Sequence, residues 1–203
     1  MVRRLSCIIF LLFVVFVVGC EEEGPSVSTE AKEKAVEVKK VKLETNMGDI
    51  VIELNEEKAP ITVANFLRYV EEGFYDGIIF HRVIKKFMIQ GGGFEVNLQR
   101  KQPHAPIKNE ASNGLKNLRG TISMARTSDP HSATSQFFIN HTDNSSLDYV
   151  AGKNDGYAVF GKVVEGIETV DKIALVRTTT ARGMRDVPAQ AVIIKSAKVI
   201  SGK

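Results

Sequence analysis

The sequence predicts a mainly β fold for residues 41–203: eight antiparallel strands in a closed barrel, capped by two α-helices. Three observations predict it. Short runs rich in β-branched and aromatic residues recur through the body, several of them alternating apolar with polar positions. Turn residues separate these runs, and only two stretches switch to helical spacing. About eight short strands in a body of this size favour closure, because closure removes the edges that invite aggregation.

The elements follow in order. Val41-Lys-Leu43-Glu-Thr45 alternates, Asn46-Met-Gly48-Asp49 supplies turn chemistry, and Ile50-Val-Ile52-Glu-Leu54 returns, which makes a hairpin. Ala59 to Gly73 has helical spacing, with Pro60 in the first turn and Gly73 as the stop. Strands are expected at Ile78–Ile84, Met88–Gln90, Thr121–Ala125, Gln136–Asn140 and Val159–Val164, then a helix near Ile167–Ile173 and a closing strand over Ala191–Ile200. Gly91 to Gly120 carries weak strand signals and reads as a loop on the outside, of a length that usually serves binding. Gly91-Gly92-Gly93 reads as a tight bend, since neither a Lys-Ser/Thr pair nor a helix follows as in a phosphate loop.

The first twenty residues read as an address. Arg3 and Arg4 precede an unbroken apolar run, Ile8 to Val18, of eleven residues. As a helix it would reach roughly 16 Å, about half of a hydrocarbon core, so it suits an export signal and not a permanent span. The run ends in Val17-Val18-Gly19-Cys20, which resembles a bacterial lipobox. Residues 1–19 are then a signal peptide, and Cys20 becomes the acylated first residue of the mature chain. Glu21 after the cysteine favours the outer over the inner membrane, with the domain in the periplasm. Residues 20–40, rich in charge and poor in large apolar groups, read as a flexible tether.

Composition narrows the function. The 203-residue chain has 27 basic and 24 acidic side chains, and Arg3 and Arg4 belong to the signal, so no basic stripe argues for nucleic acid. Its two cysteines, Cys7 and Cys20, leave a body without thiols. His81, His104, His131 and His141 form no metal-spaced pair, so no metal site is expected. Ser135, His141 and Asp143 lack the nucleophile elbow that a hydrolase of that type would need. In Phe80-His81-Arg82-Val83 alternation puts His81 and Arg82 on opposite faces of a strand. By spacing alone Arg82 reads more readily as a surface arginine on a half-buried strand than as part of a pocket.

Phe80 through Gly92 (FHRVIKKFMIQGG) resembles the cyclophilin signature. Gly120 to Arg126 (GTISMAR), Ser135 to Asn140 (SQFFIN) and Tyr157 to Gly166 (YAVFGKVVEG) resemble the blocks that follow it, in family order and with family-like gaps. The similarity runs from about Val41 to Ile200. It implies a cyclophilin-like barrel and a peptidyl-prolyl cis-trans isomerase that needs no cofactor and assists the folding of exported or envelope proteins. Its partners would be extended, proline-containing polypeptides, reached by a monomer tethered to the membrane through Cys20. The alternative is a non-catalytic chaperone module holding peptides in the same groove.

The resemblance also implies roles. Arg82 matches the donor to the proline nitrogen, and Gln90 the amide that orients that arginine and meets a substrate carbonyl. Phe87, Met88, Phe138 and Leu147 match the proline slot, Tyr157 a ring that closes it, Ala125 and Arg126 the segment whose backbone pairs with substrate, and Gln136 a polar residue of the pocket wall. Strict alternation puts Phe87 on the opposite face from Met88 and Gln90, so this assignment requires a local distortion. Arg126 stands where Asn is common, and Ser146 where many members carry Trp or Phe, which implies a shallower wall and weak cyclosporin binding.

Overall fold

The computed structural model describes residues 38–200. The signal, Cys20 and the tether up to residue 37 lie outside the described residues. The hairpin appears as β1 (Lys40–Thr45) and β2 (Gly48–Leu54), in full register from Lys40 opposite Glu53 to Thr45 opposite Gly48. Val41, Leu43, Ile50, Ile52 and Leu54 face the core, as alternation requires.

Helix α1 (Pro60–Glu71) buries Thr62, Val63, Phe66, Leu67, Tyr69 and Val70 on one face and ends where Gly73 takes φ 65°. Its start is unusual. Ala59 at the N-cap has no side-chain oxygen to offer. Glu110, in the long loop, does the capping instead: Ile61 N donates to Oε1 at 3.1 Å, and Thr62 N and Oγ1 donate to Oε2 at 2.7 and 2.6 Å. The carboxylate also meets the positive end of the helix dipole. Glu110→Ala is expected to cost about 1–2 kcal/mol, because orphan helix donors are then left half-buried. Calorimetry should show Tm lower by roughly 3–6 °C, with Glu110→Gln in between; an unchanged Tm would exclude the cap.

The remaining strands are β3 (Arg82–Ile84), β4 (Met88–Gly91), β5 (Thr121–Met124), β6 (Phe137–Asn140) and β7 (Val159–Glu165), followed by helix α2 (Ile167–Ala174). Then come β8 (Thr178–Ala181), β9 (Met184–Pro188) and the closing β10 (Ile194–Ile200). Eight strands form one curled antiparallel sheet in the order β10-β1-β2-β7-β5-β6-β4-β3. α1 packs against β10, and α2 against β2, β3 and β4.

The seam of this barrel is lighter than a full strand pair. β10 and β3 are the two edges, and the expected strand Ile78–Ile84 is interrupted before Arg82. Its first half bridges the edges: Ile79 pairs antiparallel with Ile193, Phe80 N donates to the Val192 carbonyl at 2.9 Å, and Ile194 N to the Ile78 carbonyl at 2.8 Å. β8 and β9 form a separate two-stranded ribbon that the sequence did not signal. Every residue of Thr178–Ala181 is exposed or half-exposed, so there is no buried face to impose a period on the sequence.

Candidate active site

Strand register builds the site. Arg82 pairs with Gln90, Gln90 with Phe138, and Phe138 with Ser123. Residues directly opposite each other share a face, so these four form one row across the outer surface of the sheet. Ile84, Met88 and Asn140 form the next outer row. Between the two rows the intervening residues Val83, Ile89, Ile139 and Ile122 point inward and are buried in the core. His81 is 5% exposed and the Arg82 side chain 44% exposed, but the two do not take opposite faces as alternation predicts. β3 begins only at Arg82, Phe80 is the residue that joins the core, and His81 and Arg82 line one cavity with Phe94, Gln136 and Asp186.

Met88 and Phe138 point outward yet are only 2% and 4% exposed. Phe138 is covered on the outside by Tyr157, at the end of the segment from His141 to Tyr157. Tyr157 meets Phe138 edge-on at 5.6 Å between ring centroids, and its N–H donates to the Leu147 carbonyl at 2.9 Å. Leu147 closes the short helical turn Ser145–Leu147 and is half-buried. An apolar patch with an aromatic edge therefore lies in the same outer row as an arginine.

The distortion that alternation required at Phe87 lies in the chain just before β4. Phe87 sits in a tight turn whose Lys86 has φ 59°, so the strand's alternation does not govern it. Its carbonyl accepts from His141 N and from Asn144 Nδ2, both at 2.9 Å. This fastens the turn to the covering segment.

Beneath that segment runs a polar network that sequence reasoning missed. Asn117 N and Nδ2 donate to Asp148 Oδ1 at 2.8 and 3.1 Å, and Ser123 Oγ donates to Asn117 Oδ1 at 2.8 Å. Asn144 Nδ2 donates to Asn140 Oδ1 at 2.7 Å. All five residues are buried, so each unmade bond would be costly, and together they fix the height of Leu147 over the sheet. The available signal was Asn140, an amide inside a short strand otherwise made of Phe and Ile.

Two polar residues have partners that the resemblance did not indicate. Gln90 Nε2 donates to Gln136 Oε1 at 3.0 Å, and the charged neighbour of Arg82 among the described residues is Asp186, whose Oδ2 lies 3.9 Å from Nε. The glycine bend serves this amide pair: a Cβ on Gly93 would come within 2.7 Å of the Gln136 side chain, and one on Gly92 within 2.5 Å of the Ser135 carbonyl. Arg126 lies over the Tyr157 ring, 4.5 Å from its centroid, and donates to the carbonyls of Gly156 and Thr127. Its charge thus braces the slot wall as well as standing beside the groove. The Ala125 N–H is taken by the Gln136 carbonyl at 2.9 Å. Ser146 is exposed, and its carbonyl accepts from Asn154.

A family model described as cyclophilin type peptidyl-prolyl cis-trans isomerase/CLD matches residues 40–199. The chain is a cyclophilin. It is 57% identical over 162 residues to peptidyl-prolyl cis-trans isomerase cyp18 of Streptomyces antibioticus, covering 79% of this chain and 98% of that one. It is 55% identical over 161 residues to peptidyl-prolyl cis-trans isomerase B of Escherichia coli, again covering 98% of the relative. Among solved structures it resembles a cyclophilin type isomerase of Cryptosporidium parvum crystallised in the presence of the dipeptide Ala-Pro. The TM-score is 0.67 and the identity 31%, over 80% of this chain and 99% of that one. This cyclophilin is accordingly a peptidyl-prolyl cis-trans isomerase.

Proposed function

We propose that this isomerase rotates Xaa-Pro bonds in extended segments of exported or envelope proteins, with Arg82 as its catalytic residue and the patch around Phe87, Met88, Phe138, Leu147 and Tyr157 as its proline slot. The observation that carries the reading is the outer row of Arg82, Gln90 and Phe138, set by register alone beside an outward-facing but covered Met88. Rotation of the bond breaks amide resonance, whose barrier is about 18–20 kcal/mol. In the twisted state the proline nitrogen becomes pyramidal and exposes a lone pair that the planar ground state withholds. A guanidinium that donates to this lone pair binds the twisted state better than either planar isomer, which is what lowers the barrier. The slot holds the ring still while the preceding carbonyl turns. Gln90, Gln136 and the Ala125–Arg126 backbone border the flanking chain.

Support for an extended proline-containing ligand comes from the Cryptosporidium parvum relative, crystallised in the presence of Ala-Pro. Support for an envelope setting comes from the sequence: a short apolar run ending in Gly19-Cys20, then a charged tether. Acyl chains on Cys20 would hold the body at a bilayer at about 0.8 kcal/mol per buried methylene while it works in water. Two measurements test the proposal. Exchange NMR on an Ala-Pro peptide with the purified chain should show faster cis/trans interconversion and shifts at Phe138 and Tyr157; exchange without such shifts would move the slot elsewhere. Labelled palmitate should enter the wild-type chain in a Gram-negative host and fail to enter Cys20→Ala, and equal labelling would remove the anchor.

A further inference from the structure

We infer that Asp186, on the β8-β9 ribbon, is a positioning residue for Arg82; the inference rests on the reading of Arg82 as the donor to the proline nitrogen. β3 is three residues long and an edge of the main sheet, so it gives its arginine little lateral support. β9 packs against this edge and is seated there by the buried Val187 and Pro188. Asp186 Oδ2 then lies 3.9 Å from Arg82 Nε, and both residues border a cavity of ≈ 370 Å³ that Gln136 and Phe94 also line.

The backbone adds a second observation. Asp186 has φ 63°, a region that glycine enters freely and that Asp and Asn tolerate better than other residues. A carboxylate is thus held at a position where glycine would fit with less strain, and such strain points to a task for the side chain. Gln90, the cross-strand neighbour of Arg82, has its amide engaged by Gln136. Asp186 is left to restrain the guanidinium. At 3.9 Å the carboxylate holds the guanidinium by charge from its Nε side, without a direct hydrogen bond, and leaves the Nη groups to reach the groove.

The test uses two variants that both suit a positive φ. Asp186→Gly removes the carboxylate without straining the backbone, and Asp186→Asn keeps the shape but removes the charge. With an Ala-Pro peptide, Asp186→Gly is expected to lower kcat roughly three- to tenfold while KM stays within about twofold, and Asp186→Asn to fall between it and the wild type. The Arg82 Nε–H NMR resonance should shift in both. In an Arg82→Ala background Asp186→Gly should have no further effect, because it acts through the arginine. An unchanged kcat in Asp186→Gly, where Arg82→Ala alone is damaging, overturns the positioning role and leaves the catalytic reading standing. An equal loss in the Arg82→Ala background also overturns it, by marking Asp186 as merely structural. Full activity in Arg82→Ala would overturn both.

Discussion

Arg82→Ala is expected to lower kcat/KM for an Ala-Pro peptide by roughly 30- to 1000-fold, the equivalent of removing one charged hydrogen bond worth about 2–4 kcal/mol from a desolvated transition state. The size follows from where the bond is made. In the free protein the Arg82 side chain is 44% exposed, so its charge is hydrated and stabilises nothing by itself. A bound peptide displaces that water, and the guanidinium then faces a nitrogen whose lone pair exists only while the amide is twisted. The loss should therefore appear in kcat, with peptide affinity by NMR titration held within about threefold. Arg82→Lys should recover little, since a point charge on a flexible stem lacks the fixed fork of donors. A loss below about threefold in Arg82→Ala, with far-ultraviolet circular dichroism unchanged, would remove Arg82 from the mechanism.

How far this site could be read from the chain depends on the distance over which each part is specified. Alternation did not carry across His81 and Arg82, because the strand is interrupted before Arg82 and both side chains border one cavity, His81 buried in it and Arg82 half-exposed. The β1-β2 hairpin was legible because its specification is local: two uninterrupted strands with one buried face alternate in register across a short turn. Phe87 needed a turn residue at φ 59° that is a lysine, a residue type that announces no such conformation. The barrel seam, the Glu110 cap and the contact of Asp186 with Arg82 all join segments far apart in sequence through short irregular stretches. Periodicity has no purchase on such pairs, and the exposed β8 strand offered none to begin with. What the family resemblance added was a set of matched positions, and register then explains why those positions meet: one row of the sheet collects Arg82, Gln90 and Phe138.

The cavity beside Arg82 carries a second large expectation, in stability against pH. His81 is buried against Phe94, with ring centroids 4.6 Å apart, and its Nδ1 has no hydrogen-bond partner among the described residues. Burial, with a smaller contribution from the Arg82 charge, lowers its pKa from 6.5 to about 4. The sign follows directly. Above about pH 6.5 the ring is neutral in both folded and unfolded chains and contributes no pH dependence. Between about pH 6.5 and 4 the unfolded chain binds a proton that the folded chain refuses, so stability falls as pH falls, by about 3 kcal/mol in all. Glu44, Glu72 and Asp171, whose pKa values are lowered by their hydrogen bonds to Ser196, His104 and Arg119 respectively, also weaken the fold in acid. They do so equally in a His81→Asn variant and cancel in the difference. Urea unfolding at pH 7.5 and at pH 4.5 should thus show the wild type losing about 2–3 kcal/mol more than His81→Asn. Parallel losses would contradict the buried neutral imidazole, and so would a ring titration by NMR with its midpoint near 6.5. The consequence reaches Arg82 directly, since the two side chains line one cavity. A neutral His81 keeps that cavity free of a second, adjacent positive charge throughout the neutral range, and acid should disturb the seat of Arg82 before it changes the arginine itself.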